Sequence, residues 1–130
     1  MNELQAHNTL AWIEALLSGK YNHGTFRLYN SKTEAYSPVG VAFEINGIPI
    51  FPTLTSTESA SNEKWFHKHF GLKRGPEVYE TMNNFCKNYL AVAVLLLDAV
   101  PNHSAKIRQR KALLNAELQQ QMKAENNRAV

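Results

Sequence analysis

The sequence has very little that would mark an exported, disulfide-bonded or membrane-spanning protein. Cys86 is the only cysteine among the 130 residues, so the chain cannot form an intrachain disulfide or a zinc site made of cysteines. The longest apolar run, residues 89–97, is far shorter than the roughly 20 residues that a membrane helix needs. The first residues lack the basic and apolar segments of a signal peptide. We therefore expect a cytoplasmic protein with no membrane contact, and Cys86 as a small buried side chain.

Motifs that would indicate an enzyme or a cofactor site are also missing. Gly71 and Gly75 are not followed by the Lys-Ser/Thr pair of a phosphate-binding loop, and no Gly-x-Ser-x-Gly sequence is present. His67 and His69 form the only close histidine pair, but a spacing of two residues points the rings apart on a helix. We therefore predict surface positions for both rings, no metal, cofactor or catalytic residues, and no enzyme activity.

The size and the charge distribution indicate one small domain with a basic C-terminal segment. A chain of 130 residues with 44% apolar residues is long enough to bury a single core. Residues 103–130 contain six basic and two acidic residues, whereas residues 1–102 contain eight basic and nine acidic ones. We predict a globular domain over residues 1–102, with residues 103–130 as a basic helix and tail that packs on this domain or extends from it.

The apolar spacing predicts a mainly α fold with a short β-hairpin, a small α+β protein with five or so helices around one core. The hairpin is predicted within residues 26–36, where Phe26 and Leu28 alternate with polar residues before the turn at Asn30. Residues 52–62 are dominated by small hydroxylated residues and are predicted to be an exposed loop. The predicted helices span residues 3–18, 62–70, 77–83, 89–100 and 104–125.

The helix over residues 89–100 is expected to be central, because it is apolar on nearly all sides. Asn88 is a suitable N-cap for it, and Pro101 would stop it. Its Val and Leu content also fits a buried strand, but its length and these flanking residues favour a helix. We therefore expect this helix to be central and buried.

Residues 37–51 fit two structures. Alternating Val41, Phe43 and Ile45 before the Asn46-Gly47 pair are typical of a hairpin. Ser37 as N-cap, followed by Pro38 at the first helical position, is typical of a helix. Local patterns slightly favour the hairpin.

The C-terminal helix carries two features that indicate a partner. Its basic residues Lys106, Arg108, Arg110 and Lys111 could neutralise phosphates, which predicts salt-dependent nucleic-acid binding. A solvated polar helix face gives the same pattern, and the tail has no aromatic residues to stack on bases. The apolar stripe on the same helix is thin and suits packing on one surface or self-association as a homodimer. Its residues are Ile107, Leu114, Leu118 and Met122.

Residues 12–97 contain spaced motifs that begin at Trp12, Tyr36, Phe70 and Met82. They resemble motifs of a group of small uncharacterised phage and prophage proteins. Those proteins share the pattern W-x-x-A-L-x-S-G-x-Y-x-Q-G, then Y-C-x-L-G-V-L-C-D, then a W-x-G-L segment, then L-N-D-x-x-x-x-F-x-x-I-A-x-x-I. The cysteines of that pattern are Ser37 and Phe43 here, its Gln is His23, and its second Asp is Asn84. The resemblance implies a helix over residues 39–45, and on that ground we predict a helix there. The residues that correspond to the pattern, identical or similar to it, are Trp12, Ala15, Leu16, Ser18, Gly19, Tyr21, Gly24, Tyr36, Gly40, Val41, Glu44, Phe70, Gly71, Leu72, Met82, Asn83, Asn84, Tyr89, Val92, Ala93 and Leu96.

These features together predict a non-enzymatic accessory protein of a phage or mobile element that acts by binding another protein. The alternative is a nucleic-acid-binding accessory protein that uses the basic helix over residues 104–125. The sequence names neither the protein partner nor a cofactor.

Overall fold

The first helix, α1, contacts more of the other helices than any other element. The computed structural model describes residues 1–51, 55–73, 75–84 and 88–128, with the backbone alone at 75 and 76, and α1 spans Glu3–Leu17 in it. A capping box starts α1, because Oδ1 of Asn2 accepts the Gln5 N–H and Oε1 of Gln5 accepts the Asn2 N–H. The predicted helix over residues 3–18 is confirmed.

Three strands of two residues each form a small sheet after α1. The strands β1, β2 and β3 span Asn22–His23, Tyr29–Asn30 and Ala35–Tyr36. β2 and β3 are antiparallel, which confirms the predicted hairpin, and β1 pairs with β3 in parallel. β1 was not predicted, because a two-residue strand has no periodicity of its own and depends on the neighbour that pairs with it.

The segment after β3 is a helix, α2, over Pro38–Ile45. Oγ of Ser37 accepts the Gly40 N–H at 3.0 Å, and Gly47 follows the helix with a φ of +67°. The prediction of a helix over residues 39–45 is confirmed, and the hairpin alternative is wrong. Every residue from Pro38 to Phe43 is buried, so packing on several sides decided between the two local patterns.

The next two helices begin earlier than the sequence predicted. α3 spans Ser56–Phe70, and the predicted loop over 52–62 is wrong from residue 56 onwards; residues 52–54 lie outside the described ranges. Oγ1 of Thr55 accepts the Glu58 N–H at 3.2 Å, so the hydroxylated stretch begins a helix with a side-chain cap. α4 spans Gly75–Asn84, slightly longer than the predicted 77–83.

The fifth helix, α5, spans Tyr89–Ala99 and begins after the predicted Asn88 cap, whose Oδ1 accepts the Ala91 N–H at 2.8 Å. The Tyr89 hydroxyl lies 2.8 Å from the Tyr36 carbonyl oxygen and 3.0 Å from that of Asn22, and it connects α5 to the sheet. Burial is the main reason why the pKa of Tyr89 is raised. Cys86 lies outside the described residues.

The last helix, α6, spans Ala105–Arg128 and begins after Ser104, whose Oγ accepts the Ile107 N–H at 3.2 Å. It packs against α1 and α5. Ile107 and Leu118 are buried in the same core as Trp12 and Phe66. The described residues include no helix with the length and apolar character needed to cross a bilayer.

The architecture is mainly helical with a small sheet, as predicted. α1 contacts α2, α3, α5 and α6 in the described part of the chain. At the centre, the Trp12 ring lies 4.6 Å from Phe70 and 5.5 Å from Phe66, measured between ring centroids. The expected burial of α5 is confirmed for its inner side, whereas Val94 and Leu95 on its outer side are exposed.

Candidate binding surfaces

The outer side of α5 carries two adjacent exposed apolar residues. Val94 is 42% exposed and Leu95 is 54% exposed, whereas Val92 and Leu96 on the inner side are fully buried. We call Val94 and Leu95 the α5 ridge. The helix is apolar on both sides, but α1 and α6 cover only its inner side, which leaves an apolar surface of the kind that often marks a binding site.

A large groove lies along one side of this ridge, between α5 and α4. Its volume is about 730 Å³, and most of its wall is apolar. Val78 and Met82 of α4 face Leu95 and Leu96 of α5 across it. We call it the α4–α5 groove, and its volume lies within the range of ligand and peptide sites.

A second groove lies on the other side of the ridge, between α5 and α6. Its volume is about 530 Å³, and its walls include Val94, Leu97 and Leu118. Leu95 and Asp98 line both this α5–α6 groove and the α4–α5 groove. The α5 ridge therefore stands between two depressions.

The charges at the grooves are few and uneven. Asp98 lies in the last turn of α5, where the helix dipole already places partial negative charge. The Lys111 ammonium donates to the Val100 carbonyl oxygen at 2.6 Å and to Oδ1 of Asn102 at 3.1 Å, so it neutralises the end of α5 itself. Glu77 and Lys73 also line the α4–α5 groove.

The predicted nucleic-acid contacts are divided by the fold. Lys106 and Arg108 are exposed, whereas Arg110 and Lys111 are partly buried and bound to groups of the same chain. Two of the four cations therefore have intramolecular roles. Nucleic-acid binding through this helix stays a prediction.

The predicted self-association stripe packs inside the chain. Ile107 and Leu118 are fully buried or nearly so, Leu114 is 9% exposed, and Met122 packs at the edge of the core. A homodimer through these residues would require α6 to leave its own chain and exchange with a second copy. Self-association also stays a prediction.

A polar groove lies on another side of the molecule, around Arg110. It has a volume of about 360 Å³, and the second half of α1, the segment before β1, the end of α2, the end of α3 and α6 surround it. We call it the Arg110 groove. Its wall includes Glu14, Lys20, Tyr21 and His69 as well as Arg110.

The two histidines of α3 differ from the prediction of surface positions. The His69 ring stacks on Trp65 at 4.8 Å between ring centroids, and burial lowers the pKa of His69, which favours the neutral ring at neutral pH. Both ring nitrogens of His67 are buried and have no hydrogen-bond partner in the described chain. The described residues contain no group of three or more metal-ligating side chains.

The motif residues that carry the phage-protein resemblance have structural roles. The Trp12 indole N–H donates to the Pro38 carbonyl oxygen at 2.8 Å, which joins α1 to α2. The Phe26 N–H donates to the Asn83 carbonyl oxygen at 2.7 Å, and Nδ2 of Asn83 donates to the Phe26 carbonyl oxygen at 3.1 Å. This pair of bonds fixes Phe26 with a φ of +69°, an uncommon conformation for a residue with a side chain.

Comparison of the chain with protein-family models, with curated proteins and with solved structures gave no significant match. The resemblance to small phage and prophage proteins stays a prediction.

Proposed function

We propose that this chain is a non-enzymatic accessory protein that binds a helix of another protein along the α5 ridge. The observation that carries the proposal is the exposed pair Val94 and Leu95, which lies between two grooves. The resemblance of its motifs to those of phage and prophage proteins supports a role in a phage or another mobile element.

A helix is the occupant that this shape fits best. α5 has 11 residues and is therefore about 16 Å long, enough to contact three turns of a second helix. Side chains of a partner helix can fill the grooves on either side of a ridge, as in ordinary helix packing. Amphipathic helices bind other proteins in this way, through apolar residues three and four positions apart.

The charges favour a basic residue on the partner helix. Asp98 is exposed and lines both grooves. Lys111 is bound to Val100 and Asn102, where it neutralises the end of α5. A lysine or arginine of the partner at this end would therefore pair with Asp98, and the apolar contacts would provide most of the affinity.

Site-specific crosslinking tests the proposal. The photoreactive residue p-benzoylphenylalanine replaces Leu95 in one variant and Leu113 in a matched control, because Leu113 is 73% exposed and lines none of the grooves. In cells that express the chain naturally, we expect one discrete protein adduct from position 95 and none from position 113. The partner is then purified, and its Kd is measured against Leu95→Arg and Leu113→Arg. We expect at least a tenfold loss, about 1.4 kcal/mol, for Leu95→Arg alone.

Three other outcomes are informative. Equal adducts at both positions, or none at position 95, would contradict the proposal. An adduct of the chain with itself, together with a dimer in sedimentation that Leu95→Arg dissolves, would replace the partner with a second copy. Loss of the adduct at position 95 after nuclease treatment would favour the alternative that the chain binds nucleic acid.

A further inference from the structure

The Arg110 groove contains a cation that the fold holds in place and that pairs only weakly with a carboxylate. Nη1 of Arg110 lies 2.9 Å from Nδ1 of His7. A guanidinium group can only donate hydrogen bonds, so Nδ1 of His7 must accept, and the His7 ring is neutral in this arrangement. A neutral acceptor orients the guanidinium and leaves its positive charge available to a ligand.

The carboxylate beside this cation is a weak competitor. Oε2 of Glu14 lies 3.9 Å from Nη2 of Arg110, at the limit of an ion pair, and the Glu14 side chain is 70% exposed. Such exposed pairs contribute little stability, so Glu14 can turn into solvent when an anion arrives. Lys20 lines the same groove and is exposed, and it provides a second positive charge.

The rest of the wall of the Arg110 groove fits a ligand with a planar ring that carries hydrogen-bond donors. The Tyr21 ring lines the groove and is held edge-on by Tyr36, with ring centroids 5.3 Å apart. Nδ2 of Asn8 donates to the His69 carbonyl oxygen, and Nδ2 of Asn46 donates to the Ala42 carbonyl oxygen. Within the described chain, the Oδ1 atoms of both amides accept no hydrogen bond, and both residues line the groove.

We infer that the Arg110 groove binds a nucleoside monophosphate group, either as a free nucleotide or as the phosphorylated end of a nucleic-acid strand. The phosphate pairs with Arg110 and Lys20, since guanidinium and ammonium groups are the usual phosphate ligands. The base stacks on Tyr21 and donates its amino or ring N–H to Asn8 or Asn46. The volume of about 360 Å³ lies within the range of small-molecule sites.

Titration calorimetry on the full chain tests this inference, with AMP, adenosine and inorganic phosphate as separate probes. We expect AMP to bind at least about tenfold more tightly than adenosine or phosphate, because its two parts contact different walls. Arg110→Gln and Lys20→Gln should each weaken AMP binding about tenfold. Lys20→Gln keeps the test valid if Arg110→Gln unfolds the protein, because the Lys20 side chain is exposed.

Arg128→Gln is the matched control, since it removes the same charge from α6 at an exposed position outside the groove. It should change AMP binding by less than about twofold. An equal loss in Arg128→Gln would overturn the inference, because it would show general attraction to a basic helix. No saturable binding up to about 10 mM AMP, or phosphate binding as tightly as AMP, would also overturn it.

A 5′-phosphorylated dinucleotide distinguishes the two sources of the ligand. Tighter binding of the dinucleotide than of AMP assigns the groove to the end of a strand. Equal or weaker binding assigns it to a free nucleotide. Both results support a nucleotide site in the Arg110 groove, and neither depends on whether a protein binds the α5 ridge.

Discussion

Gly40 shows at the scale of one residue how strongly the fold restricts its composition. It lies in the first turn of α2, where a Cβ atom would overlap the carbonyl oxygen of Leu28. That oxygen also accepts the Ser37 N–H at 3.2 Å, so the backbone there cannot easily move. The sequence alone suggested the opposite, since a glycine inside a helix weakens it relative to alanine.

We expect Gly40→Ala to lower the free energy of unfolding by about 3 kcal/mol or more, because an added methyl group meets backbone. Gly19→Ala is the control, since Gly19 has a φ of +78° and open space around a Cβ. It should cost only about 1 kcal/mol, the strain of a left-handed residue. Urea unfolding of both variants measures the difference. Equal losses would show that the backbone around Leu28 can move to accommodate the methyl group, and would contradict the contact as the reason for glycine at position 40.

The polar groups of the core illustrate the same point. The Trp12 indole N–H and the Tyr89 hydroxyl both contact backbone carbonyl oxygens of residues distant in sequence. The apolar spacing of the chain predicts that such residues are buried. It cannot identify the carbonyl group that each one needs, because that partner exists only after α1, α2 and the sheet have packed.

At the scale of the helix, α6 has two different sides. Leu118 is 1% exposed and packs in the core, whereas Leu113 is 73% exposed. Ile107 and Leu114 of the predicted self-association stripe lie on the same inner side as Leu118, and Met122 lies at the edge of that side. The sequence predicted which residues belong to one stripe, but a stripe that suits packing on a surface does not reveal whether that surface belongs to the same chain.

A matched pair of substitutions tests this assignment. We expect Leu118→Ala to lower the free energy of unfolding by about 2–5 kcal/mol, since it removes buried methyl groups and leaves a cavity. Leu113→Ala should change it by less than about 0.5 kcal/mol. Both are measured by urea unfolding at several protein concentrations. A large, concentration-dependent loss for Leu113→Ala would instead show that the outer side of α6 is buried between two copies.

The sequence also mispredicted where α3 starts and how far α5 is exposed. The hydroxylated residues before Asn62 looked like a loop, yet Thr55 caps a helix that begins at Ser56. The composition of α5, apolar on nearly all sides, predicts a buried helix, yet Val94 and Leu95 on its outer side are exposed. In both cases the neighbouring helices decide, because packing against one side can stabilise a weak helix and can leave a strongly apolar one half covered.

At the scale of the whole molecule, α6 belongs to the core of the rest of the chain. Ile107 and Leu118 are buried with residues of α1, α2 and α5, and Nε2 of Gln121 donates to the Leu17 carbonyl oxygen at 2.8 Å. Residues 123–128 are exposed. The predicted boundary near residue 102 therefore coincides with the start of α6, while the apolar packing continues across it.

Two truncations measure this integration. We expect a chain that ends at Ala124 to melt within about 2 °C of the full chain, since the described residues that it loses, 125–128, are exposed. A chain that ends at His103 should lose its cooperative thermal transition, because the surfaces of α1 and α5 under α6 become exposed to water. Calorimetry of the full chain and of the two truncated chains measures the melting temperature and the cooperativity of each. A cooperative transition in the chain that ends at His103 would show that residues 1–103 fold alone.

The sequence by itself determined the helix caps at Ser37 and Asn88, the hairpin turn, the apolar stripe of α6 and the concentration of basic charge in α6. These depend on residues within a few positions of one another, so local spacing and hydrogen bonding are sufficient to predict them. The tertiary structure decided between hairpin and helix within residues 37–51, where Pro38–Ile45 form a helix, and it joined β1 to β3. It also decided that α5 exposes Val94 and Leu95, that Arg110 contacts His7, and that Arg110 shares one groove with Lys20 and Tyr21. The reason is physical, since each of these depends on which surfaces remain uncovered or come together when helices distant in sequence pack around α1.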